Sequence, residues 1–201
     1  MKIASRAWRL IGTDLVGPLH KTTRENTYTL TVVDYYTKWC EAVAIPRKVA
    51  LSVVRALHEI YSRHGVPNRV ISHNGGEFKN EVMRQMNEMY DIQHVFTRPY
   101  APQTNCGIEN INKQLQKQLT LAISADSNNW DLHLNSALPV LRTRPHTTRR
   151  FPPHDLMYSI AYRHGFSDDM ANDDATVDNL MQMDAEEFDQ TVYRQCEEMM
   201  R

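Results

Sequence analysis

The spacing of apolar residues changes repeatedly along this chain, and the changes divide it into elements. Residues 9–19 run or alternate apolar up to Gly17-Pro18, a turn pair that closes a first strand. Thr27 to Tyr36 (TYTLTVVDYY) is dense in β-branched and aromatic residues, and Trp39 to Ile45 follows after a tight turn around Thr37-Lys38. Both segments read as strands, and three strands with short connections predict an antiparallel meander. Val49 to Arg63 then sets Val53, Val54, Leu57, Ile60 and Tyr61 at helical spacing, and Gly65-Val66-Pro67 stops the helix. Arg69 to Ser72 reads as a short buried strand. Glu77 to Tyr90 predicts a helix with Phe78, Val82, Met86 and Met89 on one side. Ile92 to Thr97 predicts a fifth strand, Asn105 to Ile123 a long helix, and Trp130 to Leu141 another. The order β-β-β-α-β-α-β-α-α predicts an α/β fold, but several α/β topologies can be drawn through it.

Length and composition narrow the class. A chain of 201 residues holds one domain of ordinary size plus an appendage. No apolar run approaches the roughly 18–20 residues that cross a bilayer, so no membrane partner is expected. The opening Met1-Lys2-Ile3-Ala4-Ser5-Arg6 lacks the apolar core of a signal peptide, which predicts an intracellular protein. Cys40, Cys106 and Cys196 form no CxxC pair, which predicts reduced thiols rather than a disulfide framework or a zinc site.

Net charge near zero conceals an asymmetry. Residues 167–201 carry 11 Asp/Glu against 2 Lys/Arg, a net of −9, which leaves residues 1–166 at +8. A basic body with an acidic tail is compatible with a nucleic-acid surface. A solvated face and a solvated tail would give the same totals, and the basic residues form no compact run. Asp168 to Asp178 reads as a flexible acidic stretch. The expected organisation is a core domain over 1–166, an acidic linker over 167–184 and a terminal helix over 185–201.

Three segments carry candidate chemistry. Trp8 to Leu19 is a strand with Asp14 in its middle. Arg69-Val-Ile-Ser-His-Asn-Gly-Gly-Glu-Phe78 is a strand running into a glycine-rich turn. Pro99-Tyr-Ala-Pro-Gln-Thr-Asn-Cys-Gly-Ile-Glu109 is a loop opening the long helix. Taken singly, a strand Asp is most often a structural hydrogen-bonder, a helix-start Glu complements the helix dipole, and His73 is a turn residue. Taken together, the segments resemble the catalytic core of retroviral and Ty3/gypsy-type retrotransposon integrases. That family has an Asp on the first strand, an Asp in a Ser-Asp-x-Gly-x-Glu-Phe turn, and a Glu thirty-five residues further on. Asp14 and Glu109 match the first and third, and thirty-five residues separate His73 from Glu109. His73 stands where the second Asp belongs. Leu141 to His146 and Phe151 to Tyr158 also resemble the family, which extends the likeness over about residues 8–164.

The resemblance implies a ribonuclease H-like fold, a five-stranded mixed sheet flanked by helices. It implies polynucleotidyl transfer on DNA, with Asp14 and Glu109 as metal ligands and His73 as the catalytic residue at the position of the second Asp. The expected cofactor is Mg²⁺, used in pairs about 3.5–4 Å apart. Mg²⁺ prefers hard oxygen ligands, and an imidazole both removes a negative charge and suits transition metals better. Impaired catalysis is therefore expected. The loop departs from the family too, with Ala101, Cys106 and Asn110 in place of His, Gly and Arg. Cys106 forfeits the positive-φ freedom of glycine. Tyr100, Gln103 and Asn105 remain, as does Asn112. Those three, with Lys113 and Lys117 on the long helix, are the expected nucleic-acid contacts, although a solvated lysine is as good a reading of Lys113. Asp34, Lys38 and Trp39 also match the family, with packing and turn formation as their reading. The expected partners are DNA and further copies of the core, and the expected location is the nucleus. Two other readings stay open: a host-adopted, non-catalytic interaction or dimerisation module, and a working nuclease with altered metal preference.

Overall fold

The computed structural model describes residues 6–97, 106–122, 127–146, 150–160 and 162. The chain divides into two compact units, Met1–Arg142 and Thr143–Arg201. The first unit holds a five-stranded sheet in the order β3-β2-β1-β4-β5. Strands β1 (Leu10–Val16), β2 (Tyr28–Asp34) and β3 (Cys40–Ile45) form the antiparallel meander, with Asp14 opposite Thr31. Strand β4 (Arg69–Ser72) lies parallel to β1, and β5 (Gln93–Phe96) lies parallel to β4. This is the mixed sheet implied by the resemblance.

Register decides where chemistry can occur. Thr13 pairs with Ser72 across the parallel β1–β4 ladder, so the next residue of each strand, Asp14 and His73, emerges at the same sheet end. That end is the carboxyl edge of parallel strands, where α/β sheets commonly place their sites.

Helix α1 (Ala50–His64) buries Val53, Ala56, Leu57, Ile60 and Tyr61, the periodic face read from the sequence apart from Val54. Helix α2 (Glu81–Met89) starts later than its apolar pattern suggested. Residues 77–80 instead form a turn in which the Phe78 and Lys79 N–H groups donate to Gly75 O at 3.0 and 2.8 Å. Asn80 caps the helix by accepting from the Met83 N–H. The late start rotates the buried face to Met83, Met86 and Asn87, leaving Val82 and Met89 exposed. Phe78 is fully buried, but from the turn.

Helix α3 (Cys106–Ala122) lays Ile108, Ile111, Leu115 and Leu119 against Val33, Cys40 and Ala42 of the sheet. The expected second helix resolves into a 3-10 segment, Ser127–His133, and α4 (Leu134–Thr143). Trp130, Leu134, Leu138 and Leu141 complete that core. A buried ion cluster ties β3, α1 and α4 together. Glu41 accepts from Trp39 Nε1 at 3.0 Å and lies 2.8 Å from both His64 Nε2 and Arg142 Nη2. Burial alone would raise its carboxyl, but the His64 hydrogen bond and the Arg142 charge outweigh that and hold it below its ordinary value. Asp34 closes the β2–β3 turn by accepting from the Thr37 N–H and hydroxyl at 2.9 and 2.7 Å.

In the second unit, α5 (Pro153–Tyr158) is a helix where no helix was expected. Pro153 starts it and Ser159, in the left-handed region at φ 57°, closes it by donating to Asp155 O. The acidic segment 167–184 and the helix expected over 185–201 lie outside the described residues.

Candidate functional site

Asp14 and His73 meet as the register requires, with Asp14 Oδ1 3.5 Å from His73 Nε2. Each oxygen of Asp14 already has a donor. Oδ1 accepts from the Leu15 N–H at 2.9 Å, and Oδ2 accepts from Asn112 Nδ2 of α3 at 3.0 Å. Asn112 Oδ1 in turn accepts from the Thr31 hydroxyl of β2 at 2.7 Å, so three elements fix one carboxylate. Burial pushes the Asp14 carboxyl above the ordinary range; the Leu15 N–H and His73 oppose the rise, and the charges of Glu109 and Glu77 add to it.

His73 is held from three sides. The Gly75 N–H donates to Nδ1 at 2.9 Å, the ring meets Phe78 edge-on at a centroid distance of 5.0 Å, and Nε2 lies 3.2 Å from Glu77 Oε1. Glu77 is buried, its side chain 4% exposed, and Lys48 Nζ lies 3.1 Å from the same oxygen. Gly75 makes this packing possible. A Cβ there would stand 2.3 Å from His73 Cε1 and 2.6 Å from Glu77 Oε2.

The remaining expected residues are placed as follows. Glu109 sits exposed in the first turn of α3, near enough for its charge to act on Asp14. Lys113 and Lys117 are exposed, one turn apart on the same helix. Tyr100, Gln103 and Asn105 lie outside the described residues. Three participants were not assigned in the sequence. Glu77 had a local signal, standing four residues after His73 across the Gly-Gly turn. Asn112 was visible only as a family feature without a role, and Lys48 had no signal at all.

Behind this cluster lies a second polar chain. Ser72 is buried and donates to His73 O at 2.9 Å; His94 Nε2 lies 2.9 Å from the same hydroxyl, and Asn87 Nδ2 lies 3.0 Å from His94 Nδ1. The residue types are those of a Ser-His-Asn nucleophile, yet this set cannot act as one. Ser72 is 0% exposed, and its proton is committed to a carbonyl rather than to the imidazole. A cavity of about 540 Å³ opens beyond it, lined by Phe78, Lys79, Met83, Ile92, His94 and Phe96 among others.

The donor set does not suit a pair of Mg²⁺ ions. With the Gly75 N–H donating to Nδ1, the neutral imidazole of His73 carries its proton on Nε2, so the nitrogen nearest Asp14 and Glu77 has no lone pair to offer a metal. Glu77 is matched by Lys48. Among the described residues, no group of three or more His, Cys, Asp or Glu is arranged to hold a metal ion. No helix among them is long and apolar enough to cross a membrane.

Comparison with known proteins agrees with the fold and the motifs. Residues 4–102 match the family model described as integrase core domain. An uncharacterized protein of Caenorhabditis elegans is 32% identical over 70% of this chain, which covers 11% of that protein. A retrovirus-related Pol polyprotein from transposon 412 of Drosophila melanogaster is 25% identical over 72% of the chain and 12% of its own length. Human gypsy retrotransposon integrase-like protein 1 is 25% identical over 64% of the chain and 24% of its own length. The chain thus spans a quarter or less of the length of each of these relatives. Among solved structures, the HTLV-2 integrase catalytic core domain in complex with magnesium superposes with a TM-score of 0.64 at 15% identity, covering 76% of this chain and 98% of that one. The BIV integrase catalytic core gives 0.63 at 22% identity, covering 76% and 95%. A simian T-cell lymphotropic virus intasome bound to a PP2A regulatory subunit gives 0.71 at 17% identity, covering 82% and 59%. Motif, register and fold converge on one family: residues 4–102 belong to the integrase core domain family of retroviral and Ty3/gypsy-type retroelements, on a ribonuclease H-like fold.

Proposed function

We propose that this chain is a retroelement-derived integrase core that binds nucleic acid but is impaired in polynucleotidyl transfer. The observation that carries the reading is His73 at the second acidic position, with Nδ1 accepting from the Gly75 N–H and Nε2 lying 3.5 Å from Asp14 Oδ1 and 3.2 Å from Glu77 Oε1. The family's chemistry relies on Mg²⁺ held by carboxylates, and this set offers an N–H donor where a hard oxygen ligand is needed. Binding is a separate matter, because phosphate contact depends on the net +8 of residues 1–166 and on exposed cations such as Lys113 and Lys117. Tyr100, Gln103 and Asn105 belong to the same proposed surface.

Residues 1–166 form the proposed core, with 167–184 as an acidic linker and 185–201 as a terminal helix. Self-association through the core is part of the reading; related HTLV-2 cores are described in trimeric and dimeric forms. A nuclear location fits a protein acting on chromosomal DNA. Strand transfer with Mg²⁺ and with Mn²⁺, comparing the unaltered chain with His73→Asp, tests the proposal. No joining by the unaltered chain with either metal is the expected result. Robust Mg²⁺-dependent joining would overturn it. A host-adopted interaction module, which dimerises through core helices and neither cuts nor joins DNA, is the alternative; it predicts expression as a stable protein with a defined partner.

A further inference from the structure

The disagreement between this donor set and a metal pair has a structural counterpart. We infer that the charge of Lys48 and the tautomer of His73 take over the structural work of a metal ion, making this site indifferent to divalent cations. The inference rests on the proposed reading of the site but concerns folding and metal response rather than catalysis.

The argument begins with protons. The Gly75 N–H can only donate, so His73 Nδ1 must accept. The proton of the neutral ring therefore sits on Nε2, the nitrogen that lies 3.5 Å from Asp14 Oδ1 and 3.2 Å from Glu77 Oε1, although it hydrogen-bonds no oxygen of Glu77 in this geometry. An imidazole binds a metal through a nitrogen lone pair. Offering Nε2 to a metal would move the proton to Nδ1, where it would face the Gly75 N–H, donor against donor. The backbone turn thus selects the tautomer protonated at Nε2 and disfavours the one that ligates through that nitrogen. The ring cannot easily swing aside, because Phe78 packs edge-on against it and Gly75 lies underneath without a Cβ.

Charge points the same way. The charges of Glu77 and Glu109 both act on Asp14 here, and like charges near one another are unfavourable without a cation. Lys48 supplies one, 3.1 Å from Glu77 Oε1. Asn112 supplies a neutral donor to Asp14. The site thereby joins β1, the β3–α1 connection, the β4–α2 turn and α3 with no metal required. An Asp at position 73 would place another carboxylate between Asp14 and Glu77 and would need a metal to hold it there.

The test is thermal unfolding of the full chain and of His73→Asp, each in EDTA and in Mg²⁺, Mn²⁺ or Zn²⁺, together with ¹⁵N NMR of the His73 ring in the unaltered chain. The unaltered chain should show the same Tm in EDTA and in every metal, with a protonated Nε2 and an accepting Nδ1. His73→Asp should melt lower in EDTA and recover with Mg²⁺. A metal-induced rise in the Tm of the unaltered chain, or a ring protonated at Nδ1, would overturn the inference. So would a His73→Asp chain as stable in EDTA as the parent. If His73→Asp does not fold in any buffer, the tautomer and the Tm of the parent still decide. Joining activity separates the two readings. A metal-indifferent Tm with active strand transfer defeats only the proposed function, whereas a metal-raised Tm without transfer defeats only this inference.

Discussion

His94 should make this fold sensitive to mild acid, and the size of the effect follows from its surroundings. Burial lowers its pKa from 6.5 to about 4. Both nitrogens are engaged, Nε2 with the Ser72 hydroxyl and Nδ1 with the Asn87 amide. Because Ser72 donates to His73 O, it accepts from Nε2–H, and Asn87 donates to Nδ1. A second ring proton would face that amide N–H. The unfolded chain therefore binds the proton more tightly than the folded one. A group whose folded pKa is depressed contributes stability in full above its unfolded value and loses it as pH falls. Here the loss runs from pH 6.5 down to about 4. Linkage with those two values gives about 2 kcal/mol lost between roughly pH 7 and pH 5, and about 3 kcal/mol by roughly pH 4. Urea unfolding of the parent and of His94→Gln across this range is the assay. The variant should be weaker near neutrality by about 1–2 kcal/mol, through disturbed hydrogen bonds, and should show a flatter decline into acid. Other titrating groups are common to both proteins and cancel in the difference. Equal acid losses in the two proteins would refute the reasoning.

Two further outcomes follow. Glu41→Gln should cost about 3 kcal/mol in urea unfolding at neutral pH, because it leaves the guanidinium of Arg142 and the ring of His64 without their carboxylate; its folded pKa lies below the ordinary 4.5, so this contribution is present above that value and lost in stronger acid than His94's. Removing residues 167–201, a net of −9, should strengthen DNA binding at low salt and steepen its salt dependence in fluorescence anisotropy, and a truncated core with no affinity at about 50 mM salt would contradict the nucleic-acid surface.

The sheet was legible in the sequence because its strands combine β-branched runs with turn pairs at their ends, and Gly17-Pro18 and Thr37-Lys38 fall between strands. The α2 boundary was not, because Phe78 continues the apolar spacing into a turn that Gly75 and Asn80 define. Helix α5 is six residues long and opens on a proline, too short for periodicity to register. At the site, the motif spacing pointed to Asp14, His73 and Glu109, and the parallel pairing of Thr13 with Ser72 explains why the first two meet. Lys48 and Asn112 were not legible as partners. Their roles arise from long-range packing, 29 residues from Glu77 for the one and 98 from Asp14 for the other. Nor does a sequence show which ring nitrogen of His73 accepts from the backbone, and that detail separates a metal ligand from a metal substitute.

The central claim, that an imidazole whose turn-selected tautomer offers no lone pair to a metal stands at position 73 in place of a metal-holding carboxylate, is tested most directly by calorimetric titration of Mg²⁺ into the full chain and into His73→Asp. The account predicts no saturable heat for the unaltered chain and a saturable binding isotherm for His73→Asp. A saturable Mg²⁺ isotherm in the unaltered chain, abolished by Asp14→Asn, would contradict it.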